Sequence, residues 1–160
     1  MKPILPAIIA LLTFAGGCAT TRSTEADIKQ HCDTLYANPQ IDPVRNKMLL
    51  PITYGAGQPI EVLADRTTPT GAERPALLAV SKAFAACNQY AVEKLGPMPG
   101  YRVSSNDRVT EALSRVYADE LTFGGFAREL LYIGERDQLA AEELNQALRA
   151  QERWGQLSYE

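Results

Sequence analysis

Residues 74–97 read RPALLAVSKAFAACNQYAVEKLGP, and this stretch decides the fold class. Leu77, Val80, Phe84, Cys87, Ala91 and Leu95 recur at steps of three and four, which places them on one face of an α-helix. Just upstream, Thr70-Gly71-Ala72-Glu73 has the hydroxyl-to-carboxylate spacing of a capping box, and Pro75 suits a first turn whose N–H has no helical partner. Lys94 complements the negative end of the helix dipole, and Gly96-Pro97 stops the helix.

Upstream of that helix the chain changes character. Pro39, Pro43, Pro51, Pro59, Pro69 and Pro75 punctuate residues 39–75. Each proline removes a backbone donor and fixes φ, so neither a long helix nor a central strand fits there. Two short helical turns are expected, one begun by Asp42-Pro43 and one running from Pro59 through Leu63. Between them, residues 51–57 with Gly55-Ala56-Gly57 predict an exposed tip around Tyr54. Before the excursion, Ile28, Cys32, Leu35 and Tyr36 share a helical face. Thr24 to Asp27 has capping-box spacing, and Asn38-Pro39 is a stop, so a helix is predicted over about 25–37.

Downstream, Pro97 to Gly100 predicts a turn. Val109, Leu113, Val116 and Tyr117 predict a helix begun at Ser105, Asn106 or Asp107. LTFGGF at 121–126 is expected to break it, because each glycine disfavours helix by about 1 kcal/mol. Phe126, Leu130, Ile133, Ala140, Leu144 and Ala147 then form the stripe of a last helix that ends near Gly155, with Asp137 interrupting the stripe. Such a helix of about 28 residues would be roughly 42 Å long. No segment has the alternation of a strand. The predicted fold is all-α: a small irregular helical bundle with a Pro-rich excursion and a long C-terminal helix.

The first residues compose an export signal: Met1-Lys2, an apolar run from Ile4 to Phe14, then Ala15-Gly16-Gly17 before Cys18. The run is far shorter than the ~20 residues of a spanning helix. FAGGCAT resembles the lipobox of bacterial lipoproteins, although Ala15 stands where that pattern favours Leu. The resemblance implies removal of residues 1–17 and lipid attachment at Cys18; the small polar residues that follow suit a tether over 18–24, and the remaining length suits one helical domain over 25–160. Ala19 after the cysteine, in place of Asp, resembles the outer-membrane sorting pattern and implies a protein lipid-anchored there, facing the periplasm. The competing process is ordinary cleavage after Ala19, which would give a soluble periplasmic protein.

The chain has three cysteines. Lipidation of Cys18 would leave Cys32 and Cys87 as an even pair, and an oxidising compartment favours a disulfide between them over two buried thiols. The bridge would close a loop of about 56 residues, worth roughly 4 kcal/mol in the chain-entropy model. His31 is the only histidine, and no closely spaced second ligand pair accompanies His31-Cys32, so no metal site is expected.

With 16 basic residues against 19 acidic, the chain lacks the clustered positive surface that nucleic acid requires. No Walker sequence, serine elbow or dinucleotide loop is present. Asp119-Glu120 and Glu142-Glu143 suit solvated helix faces. No catalytic residue and no cofactor are expected, which favours a non-enzymatic interaction or assembly module. The alternative is a small-ligand carrier or enzyme with a pocket. A partner surface is expected at Tyr54 and along the last helix from Leu144 to Trp154.

The order of a helix with a cysteine, DPVRNKM, PIEVLADRTTPTGAERPALLAVSKAFAAC and YADELTFGGF resembles a group of uncharacterised small proteobacterial envelope proteins and lipoproteins. Ala64-Asp65, Pro69-Thr70 and Leu121-Thr122-Phe123-Gly124 match that group's short motifs, while Gly125 replaces a usual polar or acidic residue. The resemblance covers about residues 28–150. It implies a two-cysteine, all-helical protein and no particular activity.

Overall fold

The computed structural model describes the backbone of residues 17–53 and 57–157, and the side chains of 24–53 and 57–152. Among the described residues the regular elements are helical: α1 Gly17–Tyr36, a 3-10 helix Pro39–Val44, α2 Ile60–Leu63, α3 Arg74–Leu95, α4 Gly100–Tyr117 and α5 Phe123–Leu157. The fold is all-α with a long final helix.

α3 is central because both its neighbours need it. Its inner face of Leu77, Val80 and Phe84 is buried against Val109, Leu113 and Val116 of α4 on one side and the proline-rich excursion on the other. The α3–α4 connection is four residues, 96–99, so the two helices run antiparallel. α1 lies antiparallel on α3 and is joined to it by the Cys32–Cys87 disulfide, whose Cα atoms are 5.1 Å apart. α5 lies antiparallel on α4 and buries Phe123, Phe126, Leu130 and Ile133. The two expected turns of the excursion are present, as the 3-10 helix and as α2 with Pro59 at its N-cap.

Only one half of the expected capping box before α3 forms: the Glu73 N–H donates to the Thr70 carbonyl rather than to its hydroxyl, and α3 starts at Arg74 with Glu73 at its N-cap and no side-chain cap. The Glu73 carboxylate accepts from the Thr70 N–H at 2.8 Å and from its hydroxyl at 3.0 Å, and a turn over 71–73 leads into the helix. Lys47 from the excursion then reaches Glu73 at 2.8 Å and lies over the Phe123 ring at 4.9 Å. One ammonium therefore holds the excursion to the start of α3 and the start of α5.

Several boundaries differ from the sequence expectation. α1 begins at Gly17, so helical backbone passes through residues 18–24, predicted as a tether, and Thr24 is not its N-cap. No proline or glycine interrupts residues 18–36, so nothing there forces an end. α4 begins at Gly100 rather than at Ser105, Asn106 or Asp107. The Pro99 carbonyl, at the N-cap, accepts from the Arg102 and Val103 N–H groups without any side-chain cap.

The largest correction concerns LTFGGF. The break between α4 and α5 is made by Asp119 in the left-handed region at φ 63°. Its N–H donates to Val116 O and the Glu120 N–H donates to Arg115 O, the paired bonds of a Schellman ending. Gly124 and Gly125 are not in the break but in the first turn of α5. The excursion supplies the reason: the Phe123 N–H donates to Thr67 O at 3.1 Å and the Gly124 N–H to Asp65 O at 2.9 Å. Two of the orphan donors of α5 thus find backbone partners. A Cβ on Gly124 would collide with Asp65 O and sit 2.6 Å from Leu63 O. Glycine is there for close backbone approach, not for a turn.

The predicted exposed tip is only partly exposed. Ile52 is buried in the core with Met48, so the excursion is folded over the bundle up to that residue. Tyr54 lies outside the described residues.

Candidate partner surface

The seam between α4 and α5 begins as a conventional apolar interface and ends in a polar lock. Val109, Ala112 and Val116 of α4 and Phe126, Leu130 and Ile133 of α5 are buried. One turn further along α5 stands Asp137, the residue that interrupts the stripe in sequence. It is buried, accepts a hydrogen bond from the Ser105 hydroxyl, and has the Arg102 guanidinium 3.2 Å from its second oxygen. A buried carboxylate needs such partners, and here both come from the first turns of α4. The extra length of α4 that the sequence missed supplies Arg102.

Beyond this lock α4 is spent. Ser105 opposite Asp137 and Arg115 beside Glu129 fix the antiparallel register, so Gly100 falls near the level of residue 142. α5 has 35 residues, about 52 Å at 1.5 Å per residue, against the 28 expected, and continues to Leu157. The apolar stripe continues with it: Ala140, Leu144 and Ala147 follow Ile133 and Asp137 at steps of three and four, with Ala141 and Leu148 alongside. Leu144 is 44 % and Leu148 49 % exposed. Of the three residues singled out as a partner surface, Leu144 is thus accessible on an unpaired helical face. The side chain of Trp154 lies outside the described residues, as do Tyr54 and the side chain of Cys18.

A second group of functional side chains lines the opposite flank, where α1 meets α3. His31 stacks on Tyr90 with ring centroids 3.9 Å apart. The Tyr90 hydroxyl donates to Asp27 at 2.9 Å, and Lys94 lies 3.3 Å from the same carboxylate oxygen. The hydrogen bond from Tyr90, then that from Lys94, holds the Asp27 carboxyl below its usual range. Tyr90 and Asp27 together raise Lys94. These groups saturate one another beside the disulfide and fasten α1 to α3. His31, weighed in the sequence as the only imidazole, is a stacking residue. Among the described residues no group of three or more His, Cys, Asp or Glu is placed to hold a metal.

Clefts are small and open. One of about 170 Å³ runs between α3 and α4 along Leu77, Leu78, Leu113 and Tyr117. Another of about 320 Å³ lies beside the disulfide, against Phe84, Cys87, Asn88 and Arg102. The second has polar groups, but its guanidinium is the one facing Asp137.

Sequence reasoning missed Lys47, Arg74 and Gly124. Arg74 bonds the Tyr117 carbonyl and the Asp119 carboxylate, joining positions more than forty apart in the chain, and periodicity carries no signal for such a pair. Within the described residues no helix is long and apolar enough to cross a membrane. Comparison with protein-family models, characterised proteins and solved structures gives no match.

Proposed function

We propose that this chain is an envelope lipoprotein, anchored through Cys18 in the outer membrane, that acts as a non-enzymatic interaction or assembly module. The observation that carries the proposal is the overhang of α5. A helix whose buried seam continues, unpaired, for several further turns presents Ala140, Ala141, Leu144, Ala147 and Leu148 as a ready groove-filling face. The rest of the molecule braces that helix: the Asp137 lock fixes its register, and backbone groups of the excursion hold its start.

The other supports come from sequence and chemistry. The lipobox-like FAGGCAT precedes the domain, and a disulfide is the state expected of a cysteine pair in an oxidising compartment. The resemblance to small envelope proteins points the same way. The partner is a protein that offers an amphipathic helix or an apolar groove.

The test places a photocrosslinking amino acid at single positions in the full chain, expressed in envelopes. Leu144 and Leu148 should each yield the same crosslinked band. Glu142, on the opposite face of the same turns, should yield none, and Leu148 crosslinks should vanish when Leu144→Glu is added. Equal crosslinking from Glu142, or none from either leucine, contradicts the proposal.

A further inference from the structure

α1 and α5 leave the bundle at the same end. Asp27 opposite Lys94 and His31 opposite Tyr90 set α1 antiparallel on α3, so Leu95 falls near the level of residue 26. Residues 17–25 of α1 therefore extend about 13 Å past the end of α3. The short 96–99 connection keeps the start of α4 at that same level. From there residues 143–157 of α5 extend about 22 Å in the same direction. Measured from Cys18, where the lipid would sit, α5 reaches about 10 Å farther than α1.

With a lipid on Cys18 this difference has a physical consequence. The bilayer surface then lies at the beginning of α1, and the far end of α5 cannot stop short of it. An excess of about 10 Å is of the same order as the headgroup region, which adds roughly 5–8 Å on each side of the ~30 Å hydrocarbon core. The same end of the bundle is also apolar: Val92, Leu95, Val103, Leu144 and Leu148 are exposed there. The sequence of residues 149–157, RAQERWGQL, carries Arg149 and Arg153 against the single Glu152, with one tryptophan. Basic and tryptophan side chains are those enriched at the membrane–water interface.

We propose that residues 150–157 of α5 rest in the headgroup layer of the membrane that holds the Cys18 lipid, as a second foot beside the anchor. This rests on the lipoprotein assignment above and adds to it. The molecule stands on two points, the exposed face at Leu144 and Leu148 is held just above the bilayer, and the protein partner is one met at the membrane surface.

Trp154 is the only tryptophan, so the test needs no label. The full chain is purified from membranes, and its intact mass is measured first. A chain without acyl mass at Cys18 overturns the lipoprotein assignment and, with it, this proposal. The acylated protein is then placed in phosphatidylethanolamine–phosphatidylglycerol vesicles with and without brominated acyl chains. The expected result is blue-shifted emission and at least about a twofold loss of intensity with the brominated lipid, as for a tryptophan at the interface. A Trp154→Phe, Tyr132→Trp variant, whose reporter lies about 33 Å back along α5, should be unquenched. Water-like, unquenched emission from Trp154 in the acylated protein overturns the second foot, as does equal quenching from both positions. An unquenched Trp154 together with a Leu148→Cys disulfide between two chains would assign the overhang to a second copy instead.

Discussion

At the residue scale, Gly124 sets two effects against each other. Alanine at an exposed helical position is favoured over glycine by about 1 kcal/mol. At Gly124 the added methyl meets the carbonyls of Leu63 and Asp65, which are held by the Arg128 guanidinium and by the Gly124 N–H at the start of α5. Overpacking of this kind costs about 1–3 kcal/mol and wins. Gly124→Ala should therefore lower the denaturation midpoint, while Gly71→Ala, with nothing within 4 Å of its Cβ, should change it little. Equal effects from the two variants would remove the close approach from the explanation. Glu73 gives a pH signature. Burial pushes its carboxyl up, but Lys47 and the Thr70 N–H and hydroxyl outweigh burial and hold it below its ordinary value of 4.5. A depressed carboxyl stabilises the fold above its unfolded value, and that contribution is lost as pH falls through the folded one. Glu73→Gln should thus cost about 1 kcal/mol at neutral pH, in the range of a lost cap. The gap from the parent should close as the pH drops below about 4.5. Urea titrations at pH 7 and pH 3 measure it, and a gap that stays constant contradicts the assigned ionic partner.

At the scale of elements, what was legible in the sequence was whatever obeys a period. The α3 stripe, the pairing of Thr70 with Glu73 before it, the two turns of the excursion and the existence of four main helices all follow from spacing and punctuation. What was not legible depends on distant backbone. Gly124-Gly125 reads locally as a break, and only the carbonyls of Asp65 and Thr67 make a helix start there favourable. Asp137 reads as a flaw in a stripe until Ser105 and Arg102 from an earlier α4 surround it. Leu144 is legible on the α5 stripe and is exposed there; how much of that stripe α4 leaves uncovered is set by where α4 starts. The two halves of α5 should respond differently to substitution. Leu130 is buried, and Leu130→Ala should cost about 2–5 kcal/mol. Leu144→Glu should shift stability by no more than about 0.5 kcal/mol while abolishing the crosslinks. Thermal unfolding followed by circular dichroism separates them, and a large loss from Leu144→Glu would place that residue in the core.

At the scale of the whole molecule, the disulfide joins α1, before the excursion, to α3, after it. Cys32 and Cys87 are 55 positions apart, so the link restrains the unfolded chain over the entire proline-rich stretch. The Cys32→Ser, Cys87→Ser double variant should lose about 4 kcal/mol. The Asp27, His31, Tyr90 and Lys94 contacts on the same flank remain and should keep the variant folded, with α1 loosened on α3. Proteolysis would then cut α1 first, whereas cleavage within α5 at equal rates would argue against this division of labour. These features describe a clamped bundle from which α1 and an unpaired stretch of α5 leave at one end, where we propose a lipid anchor at Cys18. The measurement that tests that arrangement most directly is the intact mass of the protein extracted from membranes and alkylated without reductant. The expected species begins at Cys18, carries acyl mass there, and has Cys32 and Cys87 unmodified by the alkylating agent. A chain beginning at Thr20 with no lipid, or one labelled at both Cys32 and Cys87 when unfolded, would contradict it.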